Sequence, residues 1–400
     1  MGIRSTNEIN IGLIIPLLIF PDFLYRITIS GQGRMTFVSL IYILVYLFLY
    51  RYPYFRKIAF SFPLKIWILL TLYHLINASL KHVPEINFAD YLHGFKIYAS
   101  ICIFAFLFKV NIKKAMSVLY YSIGIWLILA FAISGFNDSG RLSSEGGGFA
   151  AVTFGKSAAI MAIAAVYYTT FQQTSIIYLL LRIIYPLAFI FMSQTRNAFG
   201  MVLIQLAGYY YAIAMKCKIT MRHAILVVFL MIGTYVGVNY VMENTGLGTR
   251  FQNDFERAEN QDSKYQTGTY WDYVLGERIS YYIIGWQLFI NNPVTGIGLD
   301  NYKNTTEGGY PMHVEYMKHL VEGGIIAAVL WLAFIFALIR VLKKSHYPKH
   351  IKYLMTSTLI LELFTLFFSV SYEQELSVIP YAVILSAYNL DATKKQIIVN

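Results

Sequence analysis

Charged residues are scarce in this chain. Only 13% of the 400 residues are Asp, Glu, Lys or Arg, whereas ordinary soluble domains contain about 25%. Hydrophobic residues make up 57%, and the mean hydropathy is +0.55. So little charge cannot cover a folded surface in water, so the composition excludes the ordinary soluble classes and predicts an integral membrane protein.

Cysteine is almost absent. The two cysteines, Cys102 and Cys217, lie in an apolar run and in a short basic segment, so they provide neither a disulfide framework nor a metal cluster. We therefore expect no cofactor and no metal site. A cleavable signal peptide is not expected either, because the first apolar run contains Pro16 and continues into Pro21 rather than a small-residue cleavage site.

Long apolar runs are abundant. Since a helix needs about 20 residues to cross a bilayer, the sequence predicts about twelve crossings, with about nine in residues 1–242 and about three in residues 320–400. The predicted fold is therefore all-α and polytopic, with a large, partly helical loop over residues 243–319. We find no internal repeat, which weakens a transporter interpretation, since many transporters are built from related halves.

The net charge of +11 separates across the predicted spans. With a cytoplasmic N-terminus, about 17 of the 32 basic residues fall on the cytoplasmic side and about 18 of the 21 acidic residues on the outer side. This asymmetry predicts a protein of the bacterial inner membrane with both termini in the cytoplasm and the long loop in the periplasm. The basic charge is thus a topology signal, and no nucleic-acid partner is expected.

The predicted loop carries ten of the 21 acidic residues. Within it, residues 277–291 place apolar side chains at helical spacing, which predicts an interfacial or re-entrant helix. Asn292 and Pro293 would end this helix, and Gly296 and Gly298 would make the following turn flexible. Because charges and irregular backbone are excluded from lipid, we expect the chemistry of the protein in this loop.

Four basic residues fall at the predicted outer boundary of the membrane: Arg141, Arg196, Arg278 and His313. The planar guanidinium of arginine makes paired hydrogen bonds to phosphate oxygens, so these positions suit a lipid diphosphate whose tail stays in the bilayer.

Each of these residues also has a plainer explanation. An arginine at a membrane boundary can extend to the interface or pair with a carboxylate such as Glu145 or Glu277. A histidine in a loop is more often a solvated side chain than a base.

The region around the histidine resembles the signature of the O-antigen ligase and polymerase superfamily, whose members are polytopic enzymes that move glycans from undecaprenyl diphosphate to an acceptor. The matching residues are Arg278 through Pro293, Gly296, Gly298, Tyr302, the run His313-Val-Glu-Tyr316 and the run Leu320-Val-Glu-Gly-Gly324. The resemblance implies that His313 is the catalytic base and that Arg196 and Arg278, with Arg141, bind the donor diphosphate. Histidine suits this role because it titrates near the working pH.

The resemblance also implies the partners. These are an undecaprenyl-diphosphate-linked glycan as donor, a lipid-linked repeat unit or lipid A-core as acceptor, membrane lipids, and a chain-length regulator. Ligases have a small polar residue directly after the histidine and a further glycine three residues after the Gly-Gly pair. Here those positions hold Val314 and Ala327, which favours a polymerase while the ligase remains an alternative.

A transporter or flippase for a lipid-linked or anionic solute is the alternative from another class. In that case Lys156, Arg182 and Glu362, which fall in predicted spans, would line a path through the bilayer. A non-catalytic assembly partner is a third possibility.

Overall fold

The computed structural model describes residues 9–28, 32–83, 88–136, 142–143, 151–193, 195–216, 278–305, 312, 314–367 and 375–389. Within these ranges the chain is almost entirely helical, with one antiparallel pairing of the two-residue strands β1 (Gly135–Phe136) and β2 (Leu142–Ser143). The all-α class predicted from the sequence is confirmed for this part of the chain.

The helices follow one another with short connections. Their bounds are α1 Ile11–Thr28, α2 Gln32–Tyr50, α3 Pro53–Ala59, α4 Phe62–Leu80, α5 Phe88–Ile133, α6 Ala151–Gln172, α7 Ile176–Ser193, α8 Arg196–Lys216, α9 Arg278–Asn291, α10 Tyr302–Thr305, α11 Glu315–Lys344, α12 Lys349–Thr365, a 3-10 turn Glu375–Val378 and α13 Ile379–Ser386. The helix predicted over residues 277–291 is present as α9.

Five helices in the described ranges are long and apolar enough to cross a membrane: α4, the 92–133 part of α5, the 152–172 part of α6, α7 and α11. Shorter apolar helices cover Ile11–Pro21, Phe37–Tyr50 and Leu376–Ser386. The membrane nature of the protein agrees with these helices, whereas the count of twelve spans stays a prediction.

Helix α5 contains a break that divides it in two. Its apolar part is 42 residues long, about 63 Å of helix, which is about twice the hydrocarbon thickness of a bilayer. At Asn111 the backbone leaves the helical conformation, and the Asn111 side chain accepts a hydrogen bond from the Lys114 N–H at 2.9 Å. Asn111 is therefore an N-cap that starts a second helix, and the length of α5 suffices for two crossings.

Helix α6 lies at the centre of the fold, where α5, α7 and α8 pack against it. Its middle is a run of fully buried small residues, from Ala158 to Ala165, interrupted by buried Ile and Met side chains. Small side chains allow helices to approach closely in lipid, where no hydrophobic effect drives them together. The outer helix α7 instead exposes large apolar side chains such as Leu181 and Ile184, as expected of a lipid-facing surface.

Candidate functional site

The structure describes only part of each predicted site residue. Arg141 and His313 lie outside the described residues, and for Arg196 and Arg278 only the backbone is described, as the first residues of α8 and α9. The neighbours of the histidine position, Met312 and Val314, are both buried, at 2% and 0% exposure. Val314 has extended backbone and directly precedes α11, so the predicted base is followed at once by a helix.

Helix α11 is broken at Gly324. It crosses the position between residues 319 and 320 where the sequence analysis ended the loop, and its backbone leaves the helical conformation at Gly324 with φ 64° and ψ −166°. A Cβ atom at Gly324 would lie 2.2 Å from the Val294 carbonyl oxygen. Only glycine fits this backbone conformation and this close approach. Residues 315–323 thus form a short first segment, and the spanning part of α11 follows the break.

The segment 293–298 supplies the hydrogen bonds that the break removes. The Ile297 N–H donates to the Val321 carbonyl at 2.9 Å, the Gly298 N–H donates to the Glu322 carbonyl at 2.9 Å, and the Ile325 N–H donates to the Pro293 carbonyl at 2.9 Å. Buried backbone groups must be paired, and this segment pairs them. The turn at Gly296 and Gly298, which the sequence suggested to be flexible, is instead bonded to the helix break.

Helix α4 completes the set of partners from the other end of the chain. The Asn77 side-chain amide donates to the Thr295 carbonyl at 2.7 Å and to the Glu322 carbonyl at 3.1 Å. The Tyr73 hydroxyl donates to the Gly323 carbonyl at 2.8 Å. The last three carbonyls before the break, at residues 321–323, are therefore all bonded. Helix α4 and the segment 293–298 hold the break between them.

Charged residues surround the same break. The Lys318 ammonium lies 2.8 Å from an Asp300 carboxylate oxygen and 4.0 Å from a Glu322 carboxylate oxygen. The Glu322 carboxylate, which is 1% exposed, also accepts a hydrogen bond from the Asp300 N–H at 2.9 Å. The Lys318 ammonium lowers the pKa of the Asp300 carboxyl group. A buried carboxylate needs such a partner, so Lys318 both neutralises Glu322 and ties α11 to the preceding loop.

Two histidines and a carboxylate form a second buried set. A Glu315 carboxylate oxygen lies 3.0 Å from His319 Nε2, and His319 Nδ1 lies 3.0 Å from His74 Nε2. All three side chains are buried, at 1%, 1% and 6% exposure. The Trp331 ring stacks against the His319 ring with centroids 5.7 Å apart. This set joins the start of α11, next to the predicted base, to α4.

The start of α8 is held against α6. A Cβ atom at Gly155 would lie 2.4 Å from the Thr195 side chain, and the hydroxyls of Ser193 and Thr195 lie 3.0 Å apart. Thr195 directly precedes Arg196. The backbone that carries the predicted diphosphate-binding Arg196 is therefore packed against the outer end of α6, where Lys156 is also buried.

The three charged residues of the transporter alternative do not all lie at one level. Arg182 donates to Thr169 at 2.8 Å and to Gln172 at 2.9 Å, near the end of α6. Lys156 lies 13 residues before Thr169 on the same helix, about 20 Å along its axis. Arg182 and Lys156 thus belong to opposite ends of α6.

Sequence reasoning missed most of the buried polar residues at the break: His74, Asn77, Asp300, Lys318, His319 and Glu322. One signal was available, since Glu315 and His319, and likewise Lys318 and Glu322, are four residues apart in a helical stretch. Such pairs face the same side of a helix. The partners on α4 left no comparable signal.

Fold and site together define a polytopic membrane protein in which a broken helix and a buried polar cluster follow the histidine position. Residues 147–332 match the family model described as O-Antigen ligase. The resemblance found in the signature residues is confirmed by this match, which supports the O-antigen ligase and polymerase superfamily, a glycosyltransferase-like group. The comparison with curated proteins finds no match.

The matched range contains Arg196, Arg278 and His313 as well as the break at Gly324, and it begins six residues after Arg141. In the part of the chain that the structure describes, no group of three or more His, Cys, Asp or Glu side chains is arranged to hold a metal ion.

Proposed function

We propose that the protein is a membrane glycosyltransferase that transfers a glycan from undecaprenyl diphosphate to an acceptor sugar hydroxyl at the periplasmic face. The observation that carries the proposal is the anchored segment after His313. Within the matched family range, α11 begins two residues after this histidine and is fixed at Gly324 by α4 and by residues 293–298. A base must be held within about an ångström of its productive position, and this anchoring supports such a role.

The proposed reaction uses side chains of the chain itself. His313 accepts the proton of the acceptor hydroxyl as its oxygen attacks the anomeric carbon of the donor. The bond between that carbon and the diphosphate oxygen breaks, and the diphosphate keeps the electron pair. Arg196 and Arg278, with Arg141, stabilise the negative charge that grows on the leaving diphosphate.

The acceptor decides between two forms of this activity. We propose repeat-unit polymerisation first, because Val314 and Ala327 replace the residues typical of ligases, and both side chains are fully buried. Val314 lies between His313 and α11, where a small polar residue would face an apolar environment. The ligase activity, with lipid A-core as acceptor, is the alternative.

The proposed setting follows from the topology. Both termini lie in the cytoplasm of a cell with an inner membrane, and the site faces the periplasm, where lipid-linked donor and acceptor meet. A chain-length regulator is a further proposed partner. The separation of Arg182 from Lys156 along α6 favours this enzyme over a transport path lined by both residues.

The experiment that tests the proposal is transfer by the purified protein in nanodiscs. Wild type, His313→Ala and the control His346→Ala are each incubated with undecaprenyl-diphosphate-linked repeat units, and the products are separated on a gel. His346 suits as control because it bonds Asn389 between α11 and α12, at the opposite end of α11 from His313.

We expect a ladder from wild type and from His346→Ala, and none from His313→Ala. A ladder that forms only after lipid A-core is added would assign the ligase activity. Transfer by His313→Ala would refute the assigned base, and absence of transfer by wild type with every acceptor would refute the proposed function.

A further inference from the structure

The chain of side chains from Glu315 through His319 to His74 has no role in the reaction as proposed above. It is continuous, with two separations of 3.0 Å, and it is enclosed, with all three members at least nine-tenths buried. It links residue 315, two positions after the proposed base, to residue 74 on α4. Such a polar chain has a cost in a membrane protein, and its hydrogen-bond polarity constrains what it can do.

The protons of this chain can be counted. Beside an ionised Glu315, His319 donates through Nε2–H and accepts at Nδ1, so that His74 must donate through its own Nε2–H. His74 Nδ1 is then a lone pair, and this atom has no hydrogen-bond partner among the described residues. In this arrangement both imidazoles are neutral, and the only atom without a partner is an acceptor.

One added proton reverses the polarity of the chain. His319 then donates through both nitrogens, His74 Nε2 becomes the acceptor, and the proton of His74 moves to Nδ1. That N–H is buried, and buried N–H groups without an acceptor are rarer and more costly than buried lone pairs. The neutral arrangement is therefore the one that suits the packed structure.

His74 Nδ1 lies at the helix break itself. A Cβ atom at Gly323 would lie 2.7 Å from His74 Cε1 and 3.3 Å from His74 Nδ1. A proton on Nδ1 would thus place a donor against the backbone turn of α11, whose Gly323 carbonyl already accepts from Tyr73.

Other ionisable groups surround the histidine pair from several elements. From α11 these are Glu315, Lys318 and Glu322, from α4 Tyr73, from the loop before α10 Asp300, and from α12, across Tyr316, Glu362. The nearest cation, Lys318, is engaged by Asp300 and Glu322. A second positive charge on the histidine pair therefore adds to one that is already buried.

We propose that His74 and His319 are positioning residues for the transfer reaction: with Glu315 they form a neutral chain that locks the start of α11 against α4, and one added proton releases this lock. The proposal rests on the proposed function in one respect, since the position it controls is that of His313. The lock itself is a property of the fold and can be measured without a substrate.

The decisive variant is His74→Gln. The glutamine amide reaches the place of His74 Nε2, where its N–H₂ group donates to neutral His319 and its oxygen, after rotation, accepts from protonated His319. His74→Gln thus keeps the bond in both protonation states. His74→Leu removes the bond in both, and His346→Gln is the matched control, since His346 lies away from the break.

Transfer rates and melting temperatures in detergent are measured from pH 5 to pH 8. For wild type we expect both to fall below about pH 6.5, where histidine in an unfolded chain takes up a proton. For His74→Gln we expect wild-type values at pH 8 and a displacement of the acidic fall by about one pH unit to lower pH. For His74→Leu we expect a loss of rate of about tenfold at every pH, and for His346→Gln the wild-type profile.

Coincident pH profiles of wild type and His74→Gln, in rate and in melting temperature, would overturn the proposal and leave the pair a packing contact. A displaced melting profile in a wild-type protein without transfer activity would support the lock and reject the proposed function. A wild-type protein that is active, with a melting temperature independent of pH, would reject the lock alone.

Discussion

The replacement Gly324→Ala tests whether the break in α11 organises the site. Gly324 has φ 64° and ψ −166°, a region that only glycine occupies at low cost. The new methyl group would lie 2.2 Å from the Val294 carbonyl oxygen and 2.7 Å from the Gly296 nitrogen, both backbone atoms. Neither can yield by rotating a side chain. The backbone of residues 293–298 must therefore move away from α11.

The expected cost has two parts. Holding alanine in this conformation costs about 1–3 kcal/mol. Displacing the segment also weakens the bonds from Ile297 to Val321 and from Ile325 to Pro293, at about 0.5–1.5 kcal/mol each. Together this is on the order of 2–6 kcal/mol, a large share of a typical stability of about 5–15 kcal/mol.

The assay is the melting temperature of the purified protein in detergent, with transfer activity as second readout. The matched control is Gly124→Ala. This glycine lies inside a helix without positive φ, and its nearest contact is the flexible end of Met161 at 3.1 Å. We expect Gly124→Ala to stay within about 1 kcal/mol of wild type, because alanine favours a helix by about that amount. Equal melting temperatures for both variants would refute the account of the break.

Two further predictions concern the groups that face the break. Asn77→Asp replaces a donor by an acceptor opposite the Thr295 and Glu322 carbonyls, so it should destabilise the protein more than Asn77→Ala, whose cost is about 1–3 kcal/mol; the melting temperatures give the order, and the reverse order would contradict the assigned donor. Lys318→Met leaves the Glu322 carboxylate buried without its cation and should cost about 3–5 kcal/mol; adding Glu322→Gln should recover part of this loss, and additive losses would show that the two side chains are not coupled.

The local features of this fold were predictable from the sequence. The helix Arg278–Asn291 follows from its apolar spacing, and the Gly323-Gly324 pair indicated where the chain re-enters the membrane. Both are determined by residues that are neighbours along the chain. Composition alone was enough for the membrane class, because lipid excludes charge.

The site itself was predictable only in part. The position of His313 came from resemblance, whereas the roles of His74 and Asn77 depend on residues that are 245 positions away. A histidine and an asparagine in an apolar helix give no sign of which partner they meet. The turn at Gly296 was misjudged for the same reason, since glycine permits motion in isolation but here fits a close contact with the Glu322 backbone.

The distance along the chain between Asn77 and its partner Glu322 also has a consequence for biosynthesis. At about 5–20 residues per second, the ribosome delivers the partner about 10–50 s after α4 has been made. During that time α4 carries polar groups into the membrane whose final partners do not yet exist, an unfavourable state in lipid. The polar site is thus completed by the last part of the chain, and a nascent protein that stops short of residue 321 has its early helices but no assembled site.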